Sequence, residues 1–280
     1  MRMPYGSWLF PAAVIGLLAL APAWRQAPVE VDVALVLAVD VSISMDRDEQ
    51  ELQRNGYIEA FRAPMVHQAI RTGMLGRIAV TYVEWAGANP RLQSVVVPWA
   101  VLETPKDSIA FADRLARAPV RRGAGTSISD AIEMGVALLS TGRLVAARKV
   151  IDISGDGPNN QGRLVTEARD EAIARGITIN GLPVMLKEPD WREDVALDVY
   201  YRDCVIGGAN AFMIPVRERG QFLTETRAKI VREIAGLEGA DWQAQAIGGR
   251  SRTDCDTSES VWDDFAPDPH APPASIGREL

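Results

Sequence analysis

Residues 31–44 read Val-Asp-Val-Ala-Leu-Val-Leu-Ala-Val-Asp-Val-Ser-Ile-Ser. The near-continuous apolar run is the pattern of a strand buried on both faces of a parallel sheet, so helices must cover it on either side. Asp40, Ser42 and Ser44 close the stretch at i, i+2, i+4, which puts three oxygen-bearing side chains on one side of an extended segment. Such a trio has little structural use at the end of a buried strand. It suits a hard divalent cation such as Mg²⁺, which selects oxygen ligands. Asp40 resists a structural reading most firmly. A carboxylate flanked by Val39 and Val41 costs several kcal/mol unless it is paired or metal-bound.

Asp46 and Glu49 then form a capping box. The helix they open carries Leu52, Ile58, Phe61, Met65 and Ala69 and runs to about Gly73. Further strands are expected over 77–85, 93–101, 149–154, 177–184 and 211–216, with Pro98 demoting the third strand to an edge. Helices are expected over 105–118, after Ser127, up to about Ala174, near Trp191–Tyr201 and over Gln221–Ile234. This alternation predicts an α/β fold, a doubly wound, mostly parallel six-stranded sheet with one antiparallel edge strand and helices on both faces. Ligands of such sheets sit beyond the carboxyl ends of the strands. Three segments leave that edge bearing oxygen donors: Asp40/Ser42/Ser44, Thr126 and Asp156.

Composition narrows the function. The 280 residues carry a net charge of −7, which argues against a nucleic-acid partner held through its phosphates. Two His and two Cys, far apart, do not make a zinc site. Arg2, the apolar run Trp8–Leu20 and Ala21-Pro22-Ala23 read as a signal peptide over 1–23, followed by a linker over 24–30. The expected localisation is therefore exported, periplasmic or secreted from a bacterium, with membrane contact only if the signal stays uncleaved. Export permits a Cys204–Cys255 disulfide, although two cysteines also read as inert thiols. The domain is expected over 31–247. Residues 248–280 form an acidic, Pro-rich tail; 251–280 hold seven Asp/Glu against two Arg.

The run Asp40-x-Ser42-x-Ser44, the later Gly125-Thr126-Ser127 opening a helix, and Asp156-Gly157 after the fourth strand together resemble the von Willebrand factor type A domain, over residues 30–236. Tyr82-Val83-Glu84-Trp85, Ser154-Gly155-Asp156-Gly157 and Asp203-Cys204-Val205-Ile206-Gly207-Gly208 look like an uncharacterised branch of exported bacterial proteins of that class. The resemblance implies a metal-ion-dependent adhesion site: a divalent cation, Mg²⁺ before Mn²⁺ or Ca²⁺, on Ser42, Ser44 and Thr126, with Asp40 and Asp156 contributing directly or through water. It implies a protein partner presenting Asp or Glu, no small-molecule cofactor and no catalytic residues. Many domains of the class have Thr before the final Asp; here Gly155 stands there. Asp152 shares strand parity with Asp156 and is a candidate to face the site from below.

Each piece also has a plainer reading. Ser44 and Thr126 read as helix caps, Asp156-Gly157-Pro158 as a turn, and Asn159 and Asn160 as turn-shaping or capping residues. Glu84 reads as an exposed strand end, with ligand orientation as its alternative. Arg121 and Arg122 read as solvated loop charges rather than steering charges. His67 and His270 have no nucleophile nearby, which disfavours a Ser–His–Asp hydrolase. Two other functions compete with the binding module. One is a Mg²⁺-dependent phosphohydrolase with Asp40 as nucleophile, disfavoured because Ser42 stands where a second carboxylate is expected and no Lys near the later strands is placed to neutralise phosphate. The other is a non-metal structural scaffold.

Overall fold

The structure, a computed structural model, describes residues 27–187, 195–236 and Cys255. The expected signal peptide, most of the tail, and the stretch around Trp191 lie outside the described residues.

Strand β1 spans Val29–Asp40, so it takes the last residues of the expected linker. Its side chains alternate between two cores as the pleat requires. Val33, Leu35, Leu37 and Val39 enter one hydrophobic cluster; Ala34, Val36 and Ala38 enter the other. The Asp46/Glu49 capping box forms as expected and opens α1, Arg47–Arg62. Pro64 then breaks the expected single helix: it has no N–H and fits the first turn of a new one, α2, Pro64–Arg71. Next come β2 (Ile78–Trp85), β3 (Ser94–Leu102), α3 (Pro105–Arg117), α4 (Ile128–Leu139), β4 (Leu144–Gly155), α5 (Val165–Ala174) and β5 (Ile177–Pro183). The short α6, Leu197–Tyr200, continues into a π-helical turn over Tyr201–Val205, and α7 covers Phe222–Ala235.

The sheet has five strands in the order β3-β2-β1-β4-β5, all parallel except β3. The edge position expected for the Pro98 strand is observed. The expected sixth strand over 211–216 is not a strand. It meets β5 and Val184 through two isolated bridges, Gly181–Met213 and Val184–Val216. That register puts Pro183 where the intervening donor should stand, and proline has no N–H to give. Phe212 N–H donates to the side chain of Asn180, at 2.9 Å.

One core cluster packs α1, α2, α3 and α7 on the sheet, with Tyr57, Tyr82, Phe61, Phe111 and Phe222 as its largest members. The other packs α4, α5 and α6. The chain leaves β1 toward the first layer and β4 toward the second. Their carboxyl ends are neighbours in the sheet, so the connections diverge there and leave a crevice.

Candidate metal centre

The crevice is lined by the residues that follow β1 and β4. Asp40, the last residue of β1, is fully enclosed, and its Oδ1 accepts the backbone N–H of Ser42 at 2.7 Å. Ser42 Oγ lies 2.6 Å from Ser44 Oγ, and Ser44 donates its hydroxyl to Asp156 Oδ1 at 2.7 Å. Asp40, Ser42, Ser44 and Asp156 thus form one hydrogen-bonded chain that runs from the buried end of β1 to an exposed mouth at Ser44. The helix caps are filled by other residues: Asp46 caps α1 and Ser127 caps α4, which leaves Ser44 and Thr126 free of those roles.

Thr126 reaches the same edge by a different route. Gly123 pairs with the β1 exit, its N–H donating to Val41 O at 3.0 Å and its O accepting from Ile43 N at 2.9 Å. Thr126 N–H donates to Asn160 Oδ1, and Thr126 O accepts from Asn160 N, both at 2.8 Å. Asn159 Oδ1 accepts from Ser129 N at 3.1 Å, and Gln161 Oε1 accepts from Ala88 N at 2.9 Å. Of these three consecutive amides after Asp156, Asn160 braces the Thr126 loop, Asn159 the start of α4, and Gln161 the loop after β2, all against the Asp156 loop. They do not cap α5, whose N-cap is Leu164. The Thr126 side chain is almost fully buried and makes no hydrogen bond to the other four residues.

Electrostatics set Asp40 apart. Burial, followed by the charge of Asp156, pushes its pKa up to about 8, and the backbone and hydroxyl of Ser42, with the backbone of Asp156, pull only partly the other way. Asp156 is also raised, by burial first, with the Ser44 hydroxyl and Lys187 opposing. Asp40 Oδ2 is buried and has no hydrogen-bond partner among the described residues. A buried carboxylate oxygen left bare is costly. Among the described residues no group of three or more His, Cys, Asp and Glu converges. The donor set here consists of two carboxylates and hydroxyls.

Several contributors were not singled out in the sequence. Lys187 lies four residues past β5 and reaches Asp156 Oδ2 at 3.2 Å, Glu49 Oε2 at 2.9 Å and the carbonyl of Ser44. No lysine near the later strands is expected from the sequence to neutralise phosphate; Lys187 does stand at this edge, with its charge engaged by Asp156 and Glu49. Glu84 is not an exposed strand end: it is buried and paired with Arg54, which also donates to Ala118 O at 2.6 Å. Arg122 is not a free loop charge, since its guanidinium holds the carbonyls of Ile43 at 3.1 Å and Met45 at 2.6 Å. Asp152 faces the other way from the ligand edge, enclosed with Lys229 at 2.7 Å. The readable signal for this layer was a polar stripe on α1. Glu49, Gln50, Gln53 and Arg54 are all buried where a core-facing helix carries apolar residues, and Gln50 donates to Ser42 O at 3.2 Å.

The sequence profile of a family described as "Protein of unknown function (DUF1194)" matches residues 30–238. No curated protein matches the chain in sequence. Among solved structures, proximal thread matrix protein 1 from the mussel byssus superposes with a TM-score of 0.54 at 12% identity, over 74% of this chain and 49% of that one. The chain thus spans about half the length of that relative, which has also been solved with zinc in its MIDAS motif. The von Willebrand factor domain of the type V pili tip protein Mfa5 from Porphyromonas gingivalis gives a TM-score of 0.51 at 11% identity, over 75% of this chain and 98% of that one. A von Willebrand factor type A protein from Catenulispora acidiphila gives 0.51 at 15% identity, over 75% and 44%. The fold is von Willebrand factor type A-like.

Proposed function

The chain belongs to the DUF1194 family, and on that premise we propose that it is an exported binding module in which Asp40, Ser42, Ser44, Thr126 and Asp156 hold a divalent cation, Mg²⁺ foremost, that captures an Asp or Glu side chain of a partner protein. The observation that carries this reading is Asp40: an enclosed carboxylate with one oxygen occupied by Ser42 N–H and the other bare. Oxygen donors of this kind fit a hard cation. The bound ion supplies a positive charge that neutral hydroxyl ligands leave largely uncancelled, and it attracts a carboxylate entering from the exposed Ser44 side.

The protein's own groups do the rest. The β1 exit, clamped by Arg122 and Gly123, fixes Ser42 and Ser44 on one side. Asn160 holds the Thr126 loop to the loop bearing Asp156. Lys187 neutralises Glu49 and the outer oxygen of Asp156 at the mouth. The zinc-occupied motif of the mussel relative supports cation binding here, within the limits of a shared fold. Export is supported by the signal-like residues 1–23 and by the Cys204–Cys255 bridge, which belongs to oxidising compartments. The domain limits 31–247 and the tail 248–280 are part of the same reading. A phosphohydrolase is less well supported, because Asp40 is 0% exposed and offers no route for in-line attack on phosphorus.

Thermal melting tests the proposal. Saturating Mg²⁺, Mn²⁺ or Ca²⁺ is expected to raise the melting temperature of chelator-treated protein by about 5–10 °C at roughly a hundredfold excess over Kd. Asp40→Ala and Ser42→Ala are expected to abolish the shift. Indifference of the unaltered protein to all three ions defeats the reading. Binding to a partner that survives chelation points instead to the metal-free scaffold.

A further inference from the structure

Tyr201, first residue of the π-helical turn after α6, is fully enclosed, and its hydroxyl has no hydrogen-bond partner among the described residues. Asp40 Oδ2 has none either. Both oxygens flank Gly155. A Cβ at that residue would lie 3.0 Å from Asp40 Oδ2 and 3.1 Å from Tyr201 Oη. Gly155 is not among the glycines with positive φ, so what its missing side chain provides is room rather than backbone freedom. One buried unpaired oxygen is already uncommon. Two around a single point, one able to donate and the other an acceptor when ionised, make a matched pair. The turn that delivers Tyr201 is anchored on the same loop, since the neighbouring Tyr200 accepts the Asn159 N–H at 3.2 Å. Single π-helical turns recur at functional sites.

We propose that the Tyr201 hydroxyl, which makes no hydrogen bond among the described residues, turns to donate to Asp40 Oδ2 when the divalent cation binds and so orients that carboxylate for the ion, across the space that residue 155 leaves open. Tyr201 is a positioning residue: it acts on Asp40 and does not touch the ion. It acts as second-layer hydrogen bonds do at metal sites, fixing the angle at which a carboxylate meets the ion. This inference rests on the proposed cation site, and it adds a residue that lies outside the Asp-Ser-Ser, Thr and Asp segments.

The test is calorimetric titration of MnCl₂ into chelator-treated protein, with the metal-free melting temperature measured in parallel. Tyr201→Phe keeps the ring and removes only the oxygen. It is expected to weaken Mn²⁺ binding by about 10- to 100-fold, while the metal-free protein melts at the same temperature or higher, because a buried unpaired hydroxyl is gone. Gly155→Ser combined with Tyr201→Phe returns a hydroxyl to the same space and is expected to recover at least part of the affinity. Unchanged affinity in Tyr201→Phe overturns the inference and leaves the cation site standing. A lower metal-free melting temperature with unchanged affinity also overturns it, by making the tyrosine purely structural. No Mn²⁺ binding by the unaltered protein overturns both the inference and the cation site.

Discussion

Asp40 was readable from its neighbours alone, because a carboxylate between Val39 and Val41 in a buried strand demands a partner. The side chains that complete its surroundings were not. Lys187, Glu49 and Tyr201 arrive from segments whose meeting depends on where the chain leaves the sheet, and no spacing rule encodes that. Asn160 had a turn-former's identity, yet the structure uses it as a brace, its Oδ1 accepting the Thr126 N–H at 2.8 Å. Asn160→Ala leaves that N–H without its acceptor and is expected to cost about 1–2 kcal/mol in urea unfolding. It should also weaken divalent-ion binding, and unchanged affinity would show that Thr126 needs no bracing. Lys229, on α7, pairs with both Asp152 at 2.7 Å and Glu233 at 2.6 Å, and this buried triad predicts a pH signature. Burial foremost, with Lys229 opposing and Glu233 assisting, pushes Asp152 up to about 6. A carboxyl whose folded pKa is raised binds its proton more tightly in the native state. Its stabilising contribution is therefore complete below about pH 4 and is lost as the pH rises through about 6. Relative to the unaltered protein, Asp152→Asn is expected to show a stability deficit that shrinks between pH 4 and pH 7, by on the order of 2 kcal/mol. A deficit that grows with pH contradicts this assignment.

At the scale of elements, capping chemistry was legible at α1 and misleading at Ser44 and Thr126, whose places are taken by Asp46 and Ser127. Asp46 and Glu49 were read as a capping box and form one, with Asp46 accepting Glu49 N–H at 2.7 Å and Glu49 accepting Asp46 N–H at 2.9 Å. Asp46→Ala is expected to cost about 1 kcal/mol in chemical denaturation. Because the box also aims α1, whose Gln50 and Gln53 reach Ser42 and Ser154, the loss should reduce ion affinity as well. An unaltered denaturation midpoint would contradict the capping account. Two boundaries were misread for reasons that lie in proline. Pro64 splits a helix that hydrophobic spacing alone carries through to Gly73. Pro183 interrupts pairing with 211–216, a segment whose own residues look like a strand; the missing donor becomes apparent only when the register to β5 is known.

For the whole molecule, the alternation of strands and helices was legible because the strands carry apolar runs and most of the described helices are bounded by Pro, Gly or a capping side chain. The von Willebrand factor type A-like arrangement follows from β1 lying central in the sheet with its neighbour β4 turning to the opposite layer. The disulfide was open from sequence and is formed: Cys204 and Cys255 are bridged, with Cα atoms 5.8 Å apart and a separation of 51 positions in sequence. Cross-linking so long a loop restricts the unfolded chain, and reduction is expected to lower stability on the order of 3 kcal/mol, seen as a drop in melting temperature under reductant. The cation claim itself is tested most directly by anomalous diffraction from crystals grown with Mn²⁺. The account predicts one strong peak in the crevice at the ends of β1 and β4, about 2.0–2.6 Å from the oxygens of Ser42 and Ser44 and next to Asp40, Thr126 and Asp156. An ordered crevice without such a peak, at saturating Mn²⁺, would contradict it.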